Sequence, residues 1–254
     1  MDKKYDILSM TKDEVTELIL SLSEKSYRAT QVYSWMNRGM WGDEMGNIPA
    51  SLRKKLDDVC EFRLPKIKKK LISQIDGTIK YLFELIDKEC IESVFMRYEH
   101  GNTLCISSQA GCRMGCKFCA STILGKVRDL TPSEMLGQII AAEKDTSERI
   151  SNVVMMGIGE PLDNYDNTIK FLRLVSSGDG LNIGLRHISL STCGLVNGIK
   201  RLENEGLPIT LSVSLHAYDN EVRSSIMPVN KKYSIEELLA ACDEYFSKTG
   251  RRIS

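Results

Sequence analysis

The chain has 254 residues, 42% of them hydrophobic, with 34 basic and 34 acidic side chains and a formal net charge of zero. That length supports one large core, or one core with a small accessory domain. The balanced charge excludes a global field drawing the protein onto nucleic acid, so any polyanion-binding surface must be a local patch.

In chain order, residues 1–75 read as a helical accessory domain. Thr11-x-x-Glu14 is a capping box, and Val15, Leu18, Ile19 and Leu22 follow at helical spacing. A second helical pattern runs from Tyr27 through Trp41, with Val32, Trp35 and Met36 on one face. A third covers about Pro49 to Val59 and bears Leu52, Leu56 and Val59. A basic stretch follows, Arg63, Lys66, Lys68, Lys69 and Lys70, joined by Arg53, Lys54 and Lys55. Each phosphate it neutralised would add roughly 0.9 to a log–log salt slope; on charge alone such a run is ordinary solvated surface. Residues 76–100 read as a β-hairpin connector, because Ile79–Leu85 and Cys90–Tyr98 alternate around Ile86-Asp-Lys-Glu89.

From residue 101 to 254 the rhythm is strand, loop, helix. Leu104–Ser108 is a short strand leading into a cysteine-rich loop. Thr131-Pro-Ser-Glu134 opens a helix to about Lys144. Ile150–Met156 is a buried strand ending at Gly157-Ile-Gly-Glu-Pro161, and a helix around Asn167–Val175 follows. The strand Ile188–Thr192, a helix near Val196–Glu205 and the strand Ile209–Leu215 come next. Ser234-x-x-Glu237 starts a last helix closing near Gly250, and Arg251-Arg-Ile-Ser254 reads as the start of another strand. Serial βα units imply an α/β fold with parallel strands, and sites in such folds lie at the strands' carboxyl ends. No apolar run reaches the roughly 18 residues that span a bilayer. Met1-Asp-Lys-Lys-Tyr-Asp6 has no signal-peptide core behind it. These features predict a cytoplasmic, reducing compartment, where clustered cysteines are metal-binding or catalytic more often than bridged.

Three of the eight cysteines, Cys112, Cys116 and Cys119, have the spacing C-x3-C-x2-C within Gly111-Cys-Arg-Met-Gly-Cys-Lys-Phe-Cys119. Three thiolates this close can clasp one face of an iron–sulfur cube and leave the fourth iron without a protein ligand, open to chemistry. A structural zinc knuckle with a borrowed fourth ligand, or a disulfide, is the plainer alternative. Gly157–Pro161 carries two glycines that let backbone approach a ligand, and Glu160 can accept hydrogen bonds from an ammonium or hydroxyls. It is no dinucleotide fingerprint, since Pro161 and Leu162 stand where the later glycine belongs.

Together the cysteine triad, the Gly-Glu-Pro turn and the serial βα units resemble the radical S-adenosylmethionine enzymes. Thr103-Leu-Cys-Ile-Ser-Ser-Gln109, Gly157–Leu162, Leu190-Ser-Thr-Cys-Gly194 and Ser212-Val-Ser-Leu-His-Ala217, with Arg223 and Met227-Pro-Val-Asn230, narrow the resemblance to the bacterial adenine-C2 RNA methyltransferases. The likeness covers essentially the whole chain. It implies a partial (β/α) radical-SAM barrel, preceded by the helical domain and the hairpin. It further implies that Cys112, Cys116 and Cys119 hold a [4Fe–4S] cluster whose open iron binds S-adenosylmethionine. Gly159, Glu160, Ser191, Ser214, Leu215 and His216 would line that cofactor, and Phe118 would pack near its adenine. Glu92 matches the family's general base, and Cys105 the cysteine that resolves a protein–RNA adduct through a disulfide.

The implied partners are 23S rRNA, possibly tRNA, and an electron donor such as flavodoxin; the protein would act as a monomer without a membrane. As ordinary alternatives, Glu92 faces solvent from an alternating strand, Cys105 fills a core position, and His216 is a satisfied core histidine. Cys60, Cys90, Cys193 and Cys242 read as packing residues. The family's methyl-carrying cysteine belongs to a C-terminal segment that these 254 residues do not contain, so a truncated chain that binds a cluster without methylating RNA is expected. The rival readings are the related C8-methylating branch, against which Pro161 argues, and a non-catalytic zinc or cluster RNA-binding remnant.

Overall fold

Side-chain caps and apolar stripes decide where the chain's helices begin and which face they bury. The computed structural model describes residues 4–254; Met1, Asp2 and Lys3, the start of the polar run read above, lie outside the described residues. Strand β1 (Tyr5–Asp6) precedes α1 (Lys12–Ser21), where the Thr11 hydroxyl accepts from the Glu14 amide and the Glu14 carboxylate accepts from the Thr11 amide. Helix α1 buries Val15, Leu18 and Ile19. It packs with α2 (Tyr27–Asn37), which buries Val32, Tyr33 and Met36, and is followed by α3 (Ala50–Val59), which buries Leu52 and Leu56. Strand β2 (Cys60–Glu61) then pairs in parallel with β1, so the helical region closes on itself.

The next strands are β3 (Lys66–Ile72), β4 (Ile79–Glu84), β5 (Cys90–Met96) and β6 (Asn102–Cys105). A small ribbon, β7 (Gln109–Gly111) and β8 (Lys126–Asp129), frames the cysteine loop. Helix α4 (Pro132–Thr146), β9 (Ile150–Met155), α5 (Tyr165–Val175), β10 (Ile188–Thr192), α6 (Val196–Leu202) and β11 (Thr210–Val213) then alternate. The short α7 (Asn220–Ile226) and α8 (Ile235–Thr249) complete the helices.

One seven-stranded sheet runs in the order β11-β10-β9-β6-β5-β4-β3. Strands β6, β9, β10 and β11 are parallel, whereas β3 to β6 are joined antiparallel. Beyond β11, Ile253 bridges in parallel to Leu211, and the Ser254 amide donates to Leu211 O at 2.9 Å, so a strand does start where Arg251-Arg-Ile-Ser254 suggested one. The α/β class and its parallel core therefore stand, and the sheet extends one strand further at its amino-terminal edge than the apolar pattern marked. The expected hairpin is present as β4 and β5, paired antiparallel, and it continues the main sheet; the basic stretch, exposed as read, also forms that sheet's edge strand β3. Every residue of β3 is exposed, so it lacks the one-sided burial by which alternation reveals a strand. No described helix is long and apolar enough to cross a membrane.

One face of the sheet packs on α4 and its neighbours, where Tyr81, Phe83, Ile91, Phe95 and Leu104 join Met135, Leu136, Ile139 and Ile140 in a single buried cluster. A polar side chain crosses this layer. Gln138 of α4, fully buried, accepts from Ser93 Oγ and the Ser107 amide (both 2.8 Å) and donates to Ser107 O at 3.0 Å. It thereby fixes the strand-end residue that leads into the cysteine ribbon. Gln138→Leu keeps the volume but orphans these buried groups, at a cost on the order of 3 kcal/mol. Urea unfolding should show the midpoint falling accordingly; an unchanged midpoint would contradict the stitching role.

Candidate functional site

The unusual loops all leave the carboxyl ends of the parallel strands. Ribbon strands β7 and β8 pair antiparallel, Gln109 with Asp129, Ala110 with Arg128 and Gly111 with Lys126, making a neck for the cysteine loop. At Gly111 (φ +74°) a Cβ would sit 2.0 Å from Gly125 O, so only glycine lets the two strands meet there. Above the neck, the Cys112 amide donates to Gly125 O at 3.1 Å and the Cys119 amide to Cys116 O at 3.0 Å. The Lys117 amide donates to Ile226 O at 2.9 Å, seating the loop on the end of α7. Cys112 and Cys116 are buried and Cys119 is half-buried. Burial pushes the Cys112 and Cys116 thiols up, and the negative charges of Glu160 and the neighbouring cysteines add to this.

The Gly157–Pro161 turn locks against the same neck. Gly157 N donates to Ile106 O at 3.0 Å, and the Ser108 and Gln109 amides donate to Ile158 O at 2.9 and 3.1 Å. A Cβ at Gly159 (φ +111°) would lie 2.7 Å from Gln109 N, which explains the second glycine. Glu160 is 3% exposed; its Oε2 accepts from the Cys193 amide at 2.7 Å and its Oε1 from the Leu162 amide at 3.1 Å. Burial pushes its carboxyl up despite these bonds. Three residues on, Asp163 is held the other way. Burial alone would raise its carboxyl, but donors from Arg113, Gln109 and Lys126 together keep it below the usual carboxylate range. Arg113 belongs to the cysteine loop, so this carboxylate ties that loop to the glycine turn.

The ends of β10 and β11 supply the remaining wall. Ser191 lies half-buried opposite Ser212 in the parallel register, and the Ser214 amide donates to Thr192 O at 2.9 Å. His216 takes a left-handed conformation (φ +57°), turning the chain sharply after Leu215. The exposed Phe118 ring packs edge-on to the His216 ring, with centroids 4.8 Å apart. The cysteine loop and the Ser-Leu-His turn thus touch directly.

The two residues matched to catalysis lie on the other, open face of the sheet. Val94 and Cys105 are directly opposite, and Glu92 is two residues along, so Glu92 and Cys105 are diagonal neighbours on one face. The Ser107 hydroxyl links this row to the glycine turn, donating to Glu92 O at 2.6 Å and accepting from the Ile158 amide at 2.9 Å. The Glu92 carboxylate pairs with Lys80 at 2.9 Å, both side chains being about half exposed, and touches none of the cofactor-side residues among the hydrogen bonds of the described residues. Burial pushes the Cys105 thiol up.

Among the described residues, no three His, Cys, Asp or Glu side chains close around a single metal ion. The fit to a cluster rests on the donor set: three thiols on one glycine-shaped loop, two of them buried, seated beside a fully buried carboxylate. The sequence reading did not single out Gln109, Asp163 or Arg113, nor give Arg223 a role. Arg113 and Asp163 are 50 residues apart, and no local spacing signals their meeting.

Residues 106–252 match the Radical SAM superfamily, and residues 5–62 match the family described as the ribosomal RNA large subunit methyltransferase N-terminal domain. The chain is 51% identical over 251 residues to the "Probable dual-specificity RNA methyltransferase RlmN" of Clostridium novyi, covering 98% of this chain and 73% of that protein. The protein of the same name from Alkaliphilus oremlandii is 53% identical over 253 residues, covering 99% and 74%. A crystal structure of a radical SAM methyltransferase from Sphaerobacter thermophilus superposes with a TM-score of 0.93 at 38% identity, covering 98% of this chain and 74% of that one.

The Asp163 tie has a pH signature. Its depressed carboxyl stabilises the fold fully above the unfolded value near 3.8, and that contribution is lost as pH falls through the lower folded value. Asp163→Asn is expected to cost about 1–3 kcal/mol at neutral pH. Melting curves should show the gap between the two proteins closing as the pH falls below the unfolded carboxyl value. A gap that stays constant there would contradict the tie.

Proposed function

The chain belongs to the radical SAM superfamily, in the branch of the RlmN-type RNA methyltransferases, and from that membership we propose that the protein to which these residues belong methylates C2 of an adenine in 23S ribosomal RNA through a methyl-cysteine intermediate. The relatives' name carries two RNA specificities, and we read transfer RNA as the second. The protein would work as a monomer in the cytoplasm and take electrons from a carrier such as flavodoxin.

Cys112, Cys116 and Cys119 would hold a [4Fe–4S] cluster. Gly159, Glu160, Ser191, Ser214, Leu215 and His216 would hold S-adenosylmethionine, with Phe118 beside its adenine. When bound, these groups supply one-electron cleavage of the cofactor to a 5′-deoxyadenosyl radical, chemistry that belongs to the cofactor. Ordinary polar transfer does not serve, because adenine C2 is not nucleophilic. The residues of this chain supply position, proton movement and release. Glu160 presents a dry carboxylate to the cofactor's ammonium. Glu92 moves the proton at C2, its exposed pairing with Lys80 leaving it free to exchange partners. Cys105 frees the RNA by forming a disulfide with the methyl-carrying cysteine. Cys242 is not that carrier, since it lies inside α8.

One observation carries the reading. Glu92 and Cys105 share the open face of a sheet whose strand ends lead into the three-cysteine loop and the glycine turn, and the Ser107 hydroxyl joins the Glu92 backbone to that turn at Ile158. An adenine must leave its stack to reach that face, which costs less from a loop than from a duplex.

Mass spectrometry of digested ribosomal RNA tests the reaction. 2-Methyladenosine is expected in cells carrying the gene and absent from the deletion strain; a methyl at C8, or no difference, would overturn it. In the same cells Glu92→Gln should lower the modified fraction by about a hundredfold or more. Cys105→Ala should leave RNA covalently attached to protein; free, fully modified RNA from either variant would remove that residue from the reaction.

A further inference from the structure

Arg223 is a guanidinium with no solvent exposure. Its hydrogen bonds all run to neutral acceptors: Nε donates to Leu215 O at 3.1 Å, Nη1 to Asn230 Oδ1 at 2.9 Å, and Nη2 to Cys193 O at 2.7 Å and Ser214 O at 3.4 Å. A buried cation without a carboxylate is costly to keep, and a neutral amide would satisfy some of these carbonyls without that cost. The position explains the charge. Arg223 stands between the ends of β10 and β11 on one side and the cysteine loop on the other. Its helix accepts the Lys117 amide at Ile226 O (2.9 Å), and a Cβ on Gly115 of the cysteine loop would lie 3.4 Å from Pro228 Cγ just beyond that helix.

We propose that Arg223 is a positioning residue with two separable effects: its donor fork fixes the Ser214–His216 turn for S-adenosylmethionine, and its fixed charge raises the reduction potential of the cluster. The proposal rests on the reading of Cys112, Cys116 and Cys119 as cluster ligands. An electron delivered by an external one-electron carrier makes a cluster more negative. A fixed cation in a medium of low dielectric favours that reduced state, and net charge and burial are established controls of such potentials.

The test uses the anaerobically reconstituted chain, titrated with dithionite and mediators and followed by EPR, alongside S-adenosylmethionine binding by calorimetry. Arg223→Gln should lower the ratio of reduced to oxidised cluster at the wild-type midpoint about tenfold, about 59 mV for one electron. Arg223→Lys keeps the charge but not the fork, so its potential should stay at the wild-type value while cofactor affinity falls about tenfold. An unchanged potential in Arg223→Gln, or equal shifts in both variants, would overturn the proposal. If Arg223→Gln does not fold, Asn230→Asp keeps the acceptor and pairs the guanidinium with a carboxylate. It should lower the potential in the same direction, and no shift overturns the proposal. Wild-type protein that takes up no iron would fail the cluster reading itself and this inference with it, a result distinct from a cluster that forms but ignores Arg223.

Discussion

A single buried amide holds the candidate site together. Gln109, with no solvent exposure, accepts from the Glu160 amide at 2.9 Å and donates from its side chain to Asp129 at 2.8 Å and Asp163 at 2.9 Å. Its own amide donates to Ile158 O. Buried polar groups are kept satisfied in folded proteins, so the cysteine ribbon, the glycine turn and the Asp163 tie cannot shift independently. Arg113 and Lys126 draw both ends of the cysteine loop to the same carboxylate. Loops that would otherwise be separate behave as one framework, which is what a site working on a reactive radical needs.

Within that framework the charges are sorted by environment. Asp163 sits among cations and is pulled below its ordinary range, whereas Glu160, three residues earlier, is enclosed without a cation and pushed up. Two carboxyls on one turn thus sit in opposite environments, one tied by cations and one enclosed by backbone amides without a cation. On the far wall Arg223 is the reverse case, a cation enclosed by neutral oxygens. The open sheet face beside this wall carries Glu92 and the more buried Cys105.

The fold was legible in the sequence wherever its signals are local. The capping boxes at Thr11, Thr131 and Ser234 start helices within a residue of expectation, and Ile188–Thr192 is the strand its pattern indicates. Strand β3 was not legible, because Lys66, Lys68 and Lys70 alternate with Ile67, Lys69 and Leu71 while neither face is covered. The ribbon β7–β8 was missed because it depends on a close approach at Gly111 rather than on any apolar period. Within the site, cysteine spacing and the Gly-Glu-Pro turn are contiguous motifs and announce themselves. The meeting of Arg113 with Asp163 and of Arg223 with Cys193 follows from strand order, 50 and 30 residues apart, and leaves no trace in local pattern.

The proposed site requires that three thiols hold a cluster with one iron open to S-adenosylmethionine. EPR of the reduced, reconstituted protein with and without S-adenosylmethionine tests it most directly. A cluster signal from about four irons per chain is expected, with g values that move when S-adenosylmethionine is added. A signal indifferent to S-adenosylmethionine, or zinc in place of iron, would contradict it.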